Sequence, residues 1–287
     1  MIVDTHVHIW EVPPFAPVGP TRPDQGGGPK VAGTAELLLE DMDANGVDWT
    51  VIVQTSTSTW DNGYIAESAA KYPARLIPHG LVDPLDPDNT SIASRWMDDY
   101  GMRGFRFHPM YYDVDDPAEG KILTKPETQD MLAAIEKRGG IVQIHCWAHH
   151  ADQMDVAAAR FPGIMWLIDH MMYPYPKWAA DDWASYNQVL NLARHPNVFM
   201  KISDVHNRSE EDYPHRDMHP LVKRAIGTFG VERCLWGTGY PGHFRVGANW
   251  PPLDGELRII REGLDWLSDS DVSAILGDNA ARIWGLS

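Results

Sequence analysis

Eight short apolar runs rich in Val, Ile and Phe recur along the chain, each followed by a segment of helical periodicity, and this alternation restricts the fold more than any other feature. The runs lie near Ile2–His8, Trp49–Thr55, Leu76–Val82, Met102–His108, Ile141–Cys146, Met165–His170, Val198–Ser203 and Cys234–Thr238. Between them, TAELLLEDMDANG offers Thr34 as a helix start and Gly46 as its end, and KPETQDMLAAIEKRGG closes on Gly139 and Gly140. The last such segment is SDVSAILGDNAARIWG. Strands alternating with helices predict a parallel sheet closed into a (β/α)8 TIM barrel. At 287 residues the chain has the size of one such barrel, about 250 residues before insertions, so a single domain over residues 1–287 is expected. A doubly wound open sheet is the rival, but no Gly-x-Gly-x-x-Gly follows the first strand.

One stretch breaks the rhythm. Glu11 to Gly33 carries six prolines and five glycines and cannot be a regular element. Because it follows the first strand, a barrel would place it over the catalytic face, either as a cover for substrate or as a plain surface loop. The balance of 40 acidic against 24 basic residues gives a formal charge of −16, which repels phosphate backbones and anionic membranes and excludes nucleic acid as a partner. No leader pattern opens the sequence and no apolar run is long enough to span a bilayer, so a cytoplasmic protein without membrane partners is expected. The two cysteines, Cys146 and Cys234, lie in separate strands and fit a reducing compartment. A homo-oligomer is left open.

The thirteen histidines are not scattered. His6, His8, His108, His145 and His170 fall at strand ends; His149, His150, His206, His215, His219 and His243 fall in segments that follow strands. Only His79 and His195 sit elsewhere, so the barrel rule gathers imidazoles toward one face. In DTHVHIW, alternation points Asp4, His6 and His8 to one side, and two imidazoles so spaced can ligate one divalent ion. His145 in QIHC and His170 in LIDH would complete a four-imidazole site; the alternative is a set of hydrogen-bonded interior histidines.

On these motifs the chain resembles the amidohydrolase superfamily, most closely its amidohydrolase-2 branch of lactonases and decarboxylases. VDTHVHIW matches the opening Asp-x-His-x-His, GMRGFRFHP the fourth strand with its Arg, IVQIHC the fifth, LIDHMMYP the sixth, VFMKIS the seventh and ILGDNAARIWGL the closing helix. The resemblance runs in order over the whole chain and implies metal ligands at His6, His8, His145 and His170. It also implies that Arg106 binds an anion, a planar guanidinium being suited to a carboxylate, with a structural salt bridge as the alternative.

The largest departure follows strand eight. Family members end it with Gly-Thr-Asp or Gly-Ser-Asp, the Asp serving as metal ligand and base, whereas this chain reads Gly237, Thr238, Gly239, Tyr240, Pro241. A glycine side chain neither binds metal nor accepts a proton, so three accounts compete. In the first, Asp204 of KISDVH substitutes as ligand and base, or a loop histidine such as His243 moves the proton, and the enzyme stays a hydrolase of lactones or amides or a decarboxylase. An aspartate restored by Gly239→Asp should then be tolerated. In the second, the surplus histidines with Asp204 hold one or two iron ions for a non-haem monooxygenase. In the third, the barrel only binds a ligand. The cofactor expected under the first two is a divalent metal, zinc, manganese or iron, in one or two copies. Aromatic residues near the expected catalytic face, with Trp10, Trp147, Tyr173 and Tyr240 as substrate-binding candidates, suit a small acidic, largely apolar organic molecule held by Arg106.

Overall fold

The computed structural model describes residues 1–11, 31–55, 60–112, 119–239, 241 and 250–287. All eight expected strands form: β1 (Val3–Val7), β2 (Trp49–Val53), β3 (Leu76–Gly80), β4 (Gly104–Phe107), β5 (Ile141–Ile144), β6 (Met165–Ile168), β7 (Val198–Ile202) and β8 (Cys234–Trp236). They pair in parallel in sequence order, from β1 through β8. The seam between β8 and β1 closes through the segment just after β8. Val7 bridges Gly239, the His8 amide donates to the Gly239 carbonyl at 2.9 Å, and the Gly239 amide donates to the His6 carbonyl at 2.6 Å. The chain is therefore a (β/α)8 barrel.

The helices outside follow the local signals. α1 (Ala35–Asn45) starts at Thr34, whose hydroxyl accepts from the Leu37 amide at 3.4 Å, and stops at Gly46 in the left-handed region at φ 69°. α2 (Gly63–Lys71), α3 (Asn89–Tyr100), α4 (Pro126–Lys137) and α5 (Ala151–Arg160) fill the next crossovers. After β6 the helical content shrinks to 3-10 turns and the short α6 (Asn187–Leu190). α7 (Val205–Arg208) and α8 (His219–Phe229) follow β7, and α9 (Leu253–Arg258) follows β8. The closing segment runs through Asp269–Ser273 to Asn279–Trp284. Among the described residues, no helix is long and apolar enough to cross a membrane.

Two cores result. The larger lies between strands and helices and contains the outward residues, such as Phe105, Phe107, Val142, Ile144, Trp166 and Met200. The smaller lies inside the barrel: Val51, Ile77, Ile141, Leu167, Phe199 and Leu235 are sealed from below by Ala280, Ile283 and Trp284 of the closing helix. Side chains alternate along a strand, so each inward row continues upward from its apolar member. Ile141 leads to Gln143 and His145, Leu167 to Asp169, and Phe199 to Lys201 and Ser203. The barrel interior is thus greasy at one end and polar at the other.

The proline- and glycine-rich stretch is described only at its neck. There the Trp10 amide donates to the Gly33 carbonyl at 2.8 Å and the Trp10 indole donates to the Val31 carbonyl at 2.7 Å. Gly33 is required at this contact, since a Cβ would lie 2.3 Å from the Trp10 ring. Residues 12–30, on which a cover would depend, lie outside the described residues.

Candidate active site

The polar end of the interior is organised around Asp169, whose carboxylate is fully buried. Its Oδ2 takes the Arg106 Nε at 2.7 Å, and its Oδ1 lies 2.9 Å from Lys201 Nζ and 3.4 Å from His6 Nδ1. Burial alone would raise the Asp169 pKa, but the Lys201 ammonium and then the Arg106 guanidinium hold it well below the usual carboxylate range. Lys201, itself fully buried, also donates to the Thr5 carbonyl at 3.0 Å. Two cations and one anion are thereby locked together inside the barrel, and breaking such a set by removing one member costs several kcal/mol.

His6 and His8 stand beside this ion cluster with their Nε2 atoms 3.3 Å apart. His8 Nδ1 donates to the Val53 carbonyl at 2.7 Å, which leaves its Nε2 lone pair directed away. On the far side of His6, Nδ1 lies 3.4 Å from both Asp169 Oδ1 and Lys201 Nζ; with its proton on Nδ1, toward the carboxylate, the ring presents its Nε2 lone pair beside that of His8. Burial lowers both pKa values, His6 well below the usual range and His8 to about 3, so the rings stay neutral. Two nitrogens each about 2.0–2.1 Å from one tetrahedral ion are themselves about 3.3–3.4 Å apart. The spacing of this pair therefore fits a bound divalent metal.

His170 and His145 lie nearby but are engaged differently. His170 Nδ1 contacts Ser203 Oγ at 3.0 Å and its Nε2 lies 3.5 Å from Arg106 Nη2. His145 Nε2 contacts the Tyr173 hydroxyl at 2.6 Å, while its buried Nδ1 has no hydrogen-bond partner among the described residues. Both rings are kept neutral by burial. The turn carrying His170 and Tyr173 is unusual: His170, Met171, Met172 and Tyr173 all have φ between 50° and 54°. Each such residue costs about 1–2 kcal/mol, and complete burial of Met171 and Met172, with the Tyr186 hydroxyl donating to the Met171 carbonyl at 2.7 Å, holds the turn in place.

A cavity of about 200 Å³ opens above these groups, lined by His8, Arg106, His145, His170, Tyr173 and Asp204 and flanked by Tyr111, Trp147, Asn207, Arg208 and Trp250. The expected Trp147, Tyr173 and Arg106 are therefore at the cavity. Trp10 is not among its lining residues; it is buried at the loop neck. Arg106 makes the structural salt bridge that was the alternative to substrate binding, while still facing the cavity. Asp204 lines the cavity in a left-handed conformation at φ 61°, and burial raises its pKa to about 6. It does not cap α7 with its side chain, and the close group of potential metal donors among the described residues is His6, Asp169 and His170, without it. In that group the Asp169 carboxylate also pairs with Lys201 and Arg106. Tyr240 and His243 lie outside the described residues.

Gly239 has φ 119°, a conformation that L side chains rarely adopt, although open space surrounds the position of a Cβ. Because its amide and carbonyl both serve the β8–β1 seam, Gly239→Asp would require that seam to shift. The expectation that this substitution is tolerated is therefore withdrawn. Sequence reading also passed over Asp169 and Lys201, although a lysine in the middle of the apolar run VFMKIS is itself a signal of a paired, buried charge.

The amidohydrolase family model matches residues 3–286. The chain belongs to this family. Among curated relatives, an L-fucono-1,5-lactonase of Burkholderia ambifaria is 28% identical over 267 residues, covering 86% of this chain and 84% of the relative. A 4-sulfomuconolactone hydrolase of Hydrogenophaga intermedia is 23% identical over 293 residues, with coverages of 98% and 88%. The amidohydrolase fold is also matched by a zinc-bound amidohydrolase structure from Burkholderia multivorans, with a TM-score of 0.80 at 17% identity over the full length of both chains. Both of these curated relatives are named for lactones.

Proposed function

We propose that this amidohydrolase is a hydrolase of small acidic lactones that works with one divalent metal ion held by His6 and His8. The observation carrying the proposal is the pair of neutral imidazoles whose Nε2 atoms lie 3.3 Å apart, with His8 at the cavity. When bound, such an ion supplies Lewis acidity toward a carbonyl and lowers the pKa of water. A second ion is disfavoured, because the adjoining carboxylate, Asp169, is neutralised by Lys201 and Arg106. The same occupancy sets aside the two-iron oxygenase. The relatives named for lactone substrates support ring opening over amide cleavage.

The remaining roles fall to side chains at the cavity. Arg106 and Arg208 supply positive charge for an acidic substituent, and Trp147, Tyr173 and Trp250 supply apolar walls. Tyr173, fixed by its contact with His145, orients the substrate through its hydroxyl. Asp204 takes the proton of the attacking water, in the place of the acid missing after strand eight; with a pKa of about 6 it is ionised at neutral pH yet close enough to it to give the proton back.

The test combines elemental analysis with a lactone panel. Purified protein should hold about one zinc, manganese or iron per chain, and should open aldonolactones or muconolactone-type substrates with proton release at pH 7.5. His6→Ala and His8→Ala should lose the metal and the activity, and Asp204→Asn should lose about 10²–10⁴-fold in kcat. Two irons per chain with oxygen uptake would overturn the proposal in favour of the oxygenase, and release of carbon dioxide would redirect it to decarboxylation.

A further inference from the structure

A second buried carboxylate, Glu256, shares an imidazole neighbour with Asp204. His206, two residues beyond Asp204, has a side chain only 7% exposed. Its Nδ1 lies 3.1 Å from Glu256 Oε1 and its Nε2 lies 3.9 Å from Asp204 Oδ1. Glu256 sits on α9 between Leu253 and Leu257, on a face that is otherwise apolar, and is itself 3% exposed. A carboxylate in such a place needs partners, and the His206 ring it faces also faces Asp204. Trp250, which lines the cavity, packs edge-on against His206 with ring centres 5.9 Å apart. Asn207 Nδ2 donates to Asp204 Oδ1 at 2.5 Å, the same oxygen that His206 approaches, and Asp204 lines the cavity.

We propose that Asp204, His206 and Glu256 form a proton-transfer array in which His206 and Glu256 act through Asp204 as positioning residues. The inference rests on the reading of Asp204 as the proton acceptor in lactone opening. A proton released by the attacking water binds Asp204, passes from Oδ to His206 Nε2, and leaves Asp204 a carboxylate again. The imidazolium so formed is neutralised by Glu256. The same proton returns by the same route to the ring oxygen that leaves as an alkoxide, so one proton is taken and one given, with no electron transfer. The 3.9 Å gap between His206 and Asp204 is closed by a small ring rotation or by one bridging water. The charged and titratable groups facing Asp204 are His206 and Arg208 from its own turn, Tyr173 from the turn after β6 and Glu256 from α9, with Arg106 across the cavity.

The experiment uses the full chain loaded with metal and a lactone opened by the wild type. In His206→Gln and Glu256→Gln, kcat should fall about 10–100-fold while KM stays within about twofold. The acid limb of kcat/KM should move to higher pH in His206→Gln, because the positive charge that His206 lends beside Asp204 as the pH falls is lost. Added imidazole should restore part of the activity of His206→Ala, and Glu256→Asp should retain more activity than Glu256→Gln. Unchanged kcat and pH profile in both Gln variants, with Asp204→Asn inactive, would overturn the array alone; an active Asp204→Asn would overturn the reading beneath it. A second measurement needs no substrate. In ¹⁵N-histidine spectra, His206, assigned by its loss in His206→Gln, should carry its proton on Nδ1 and respond to Glu256→Gln. A neutral Nε2-protonated ring indifferent to Glu256→Gln overturns the array.

Discussion

The two ends of the barrel interior are built on the same inward rows yet obey opposite rules. At the lower end Ile141, Leu167, Phe199 and Leu235 bury apolar surface against Ile283 and Trp284, and their worth scales with area removed from water. Two residues further along those rows Asp169 and Lys201, and four further along His145, are also buried but are charged or titratable. Their burial is costly and is offset only through mutual pairing. The contrast teaches that one end can be altered in size with a graded loss of stability, whereas the other fails when a single partner is removed.

Asp169 and Leu167, neighbours on one row of β6, offer the sharpest break of that comparison. Asp169→Asn should lose nearly all activity and destabilise the fold by about 3–5 kcal/mol, because Lys201 and Arg106 are left buried without their anion. Urea unfolding and lactone turnover read both effects; an Asp169→Asn protein with wild-type stability would mean that the ion cluster is not what holds the polar end. Leu167→Ala should cost about 2–5 kcal/mol by the same unfolding assay, while kcat/KM of the folded protein changes less than about threefold. If the turnover of that variant collapses, the two ends are mechanically coupled and the comparison fails.

A smaller effect concerns pH. Burial, and next the Arg106 charge, push the His8 pKa down to about 3, from an ordinary value of 6.5. The unfolded chain therefore binds a proton near pH 6.5 that the folded chain refuses, and stability is full above that pH and declines as the pH falls toward 3. Asp204 works against this decline: its pKa, raised to about 6, adds stability as the pH falls from there toward 3.8. Because several buried histidines share the sign of His8, the sum should be a loss between pH 7 and pH 5, less steep in His8→Gln. An identical slope in His8→Gln, measured by denaturant titration of metal-free protein, would remove His8 from the account.

Most of the fold was legible because strand and helix periodicities differ, and each strand run carried its own period and boundary residues. His6 and His8 were legible for the same reason: their spacing of two places them on one face of one strand. The ion cluster was not. Lys201 lies on β7 beside β6, which Asp169 follows, but Arg106 belongs to β4, and a barrel interior also joins side chains from strands that are not neighbours in the sheet. Alternation says which way Arg106 points but not that it reaches Asp169 two strands away, so its salt bridge stayed an alternative to substrate binding. Asp204 was legible by place, after strand seven, whereas its tie through His206 to Glu256 depends on α9, some fifty positions further on. Trp10 was read by its distance from the first strand alone, and only packing against Gly33 reveals its use.

The seam between β8 and β1 has a consequence for how the molecule forms and breathes. Its rungs join His6 and His8 to Gly239 across most of the chain, contacts whose loop-closure cost is met late in folding. The two imidazoles that fit the metal lie on that seam, so ligand geometry is completed only when the cylinder shuts. Slow hydrogen exchange at the His8 and Gly239 amides, and its further slowing on metal addition, would report the ion acting as a clasp on the last joint to close.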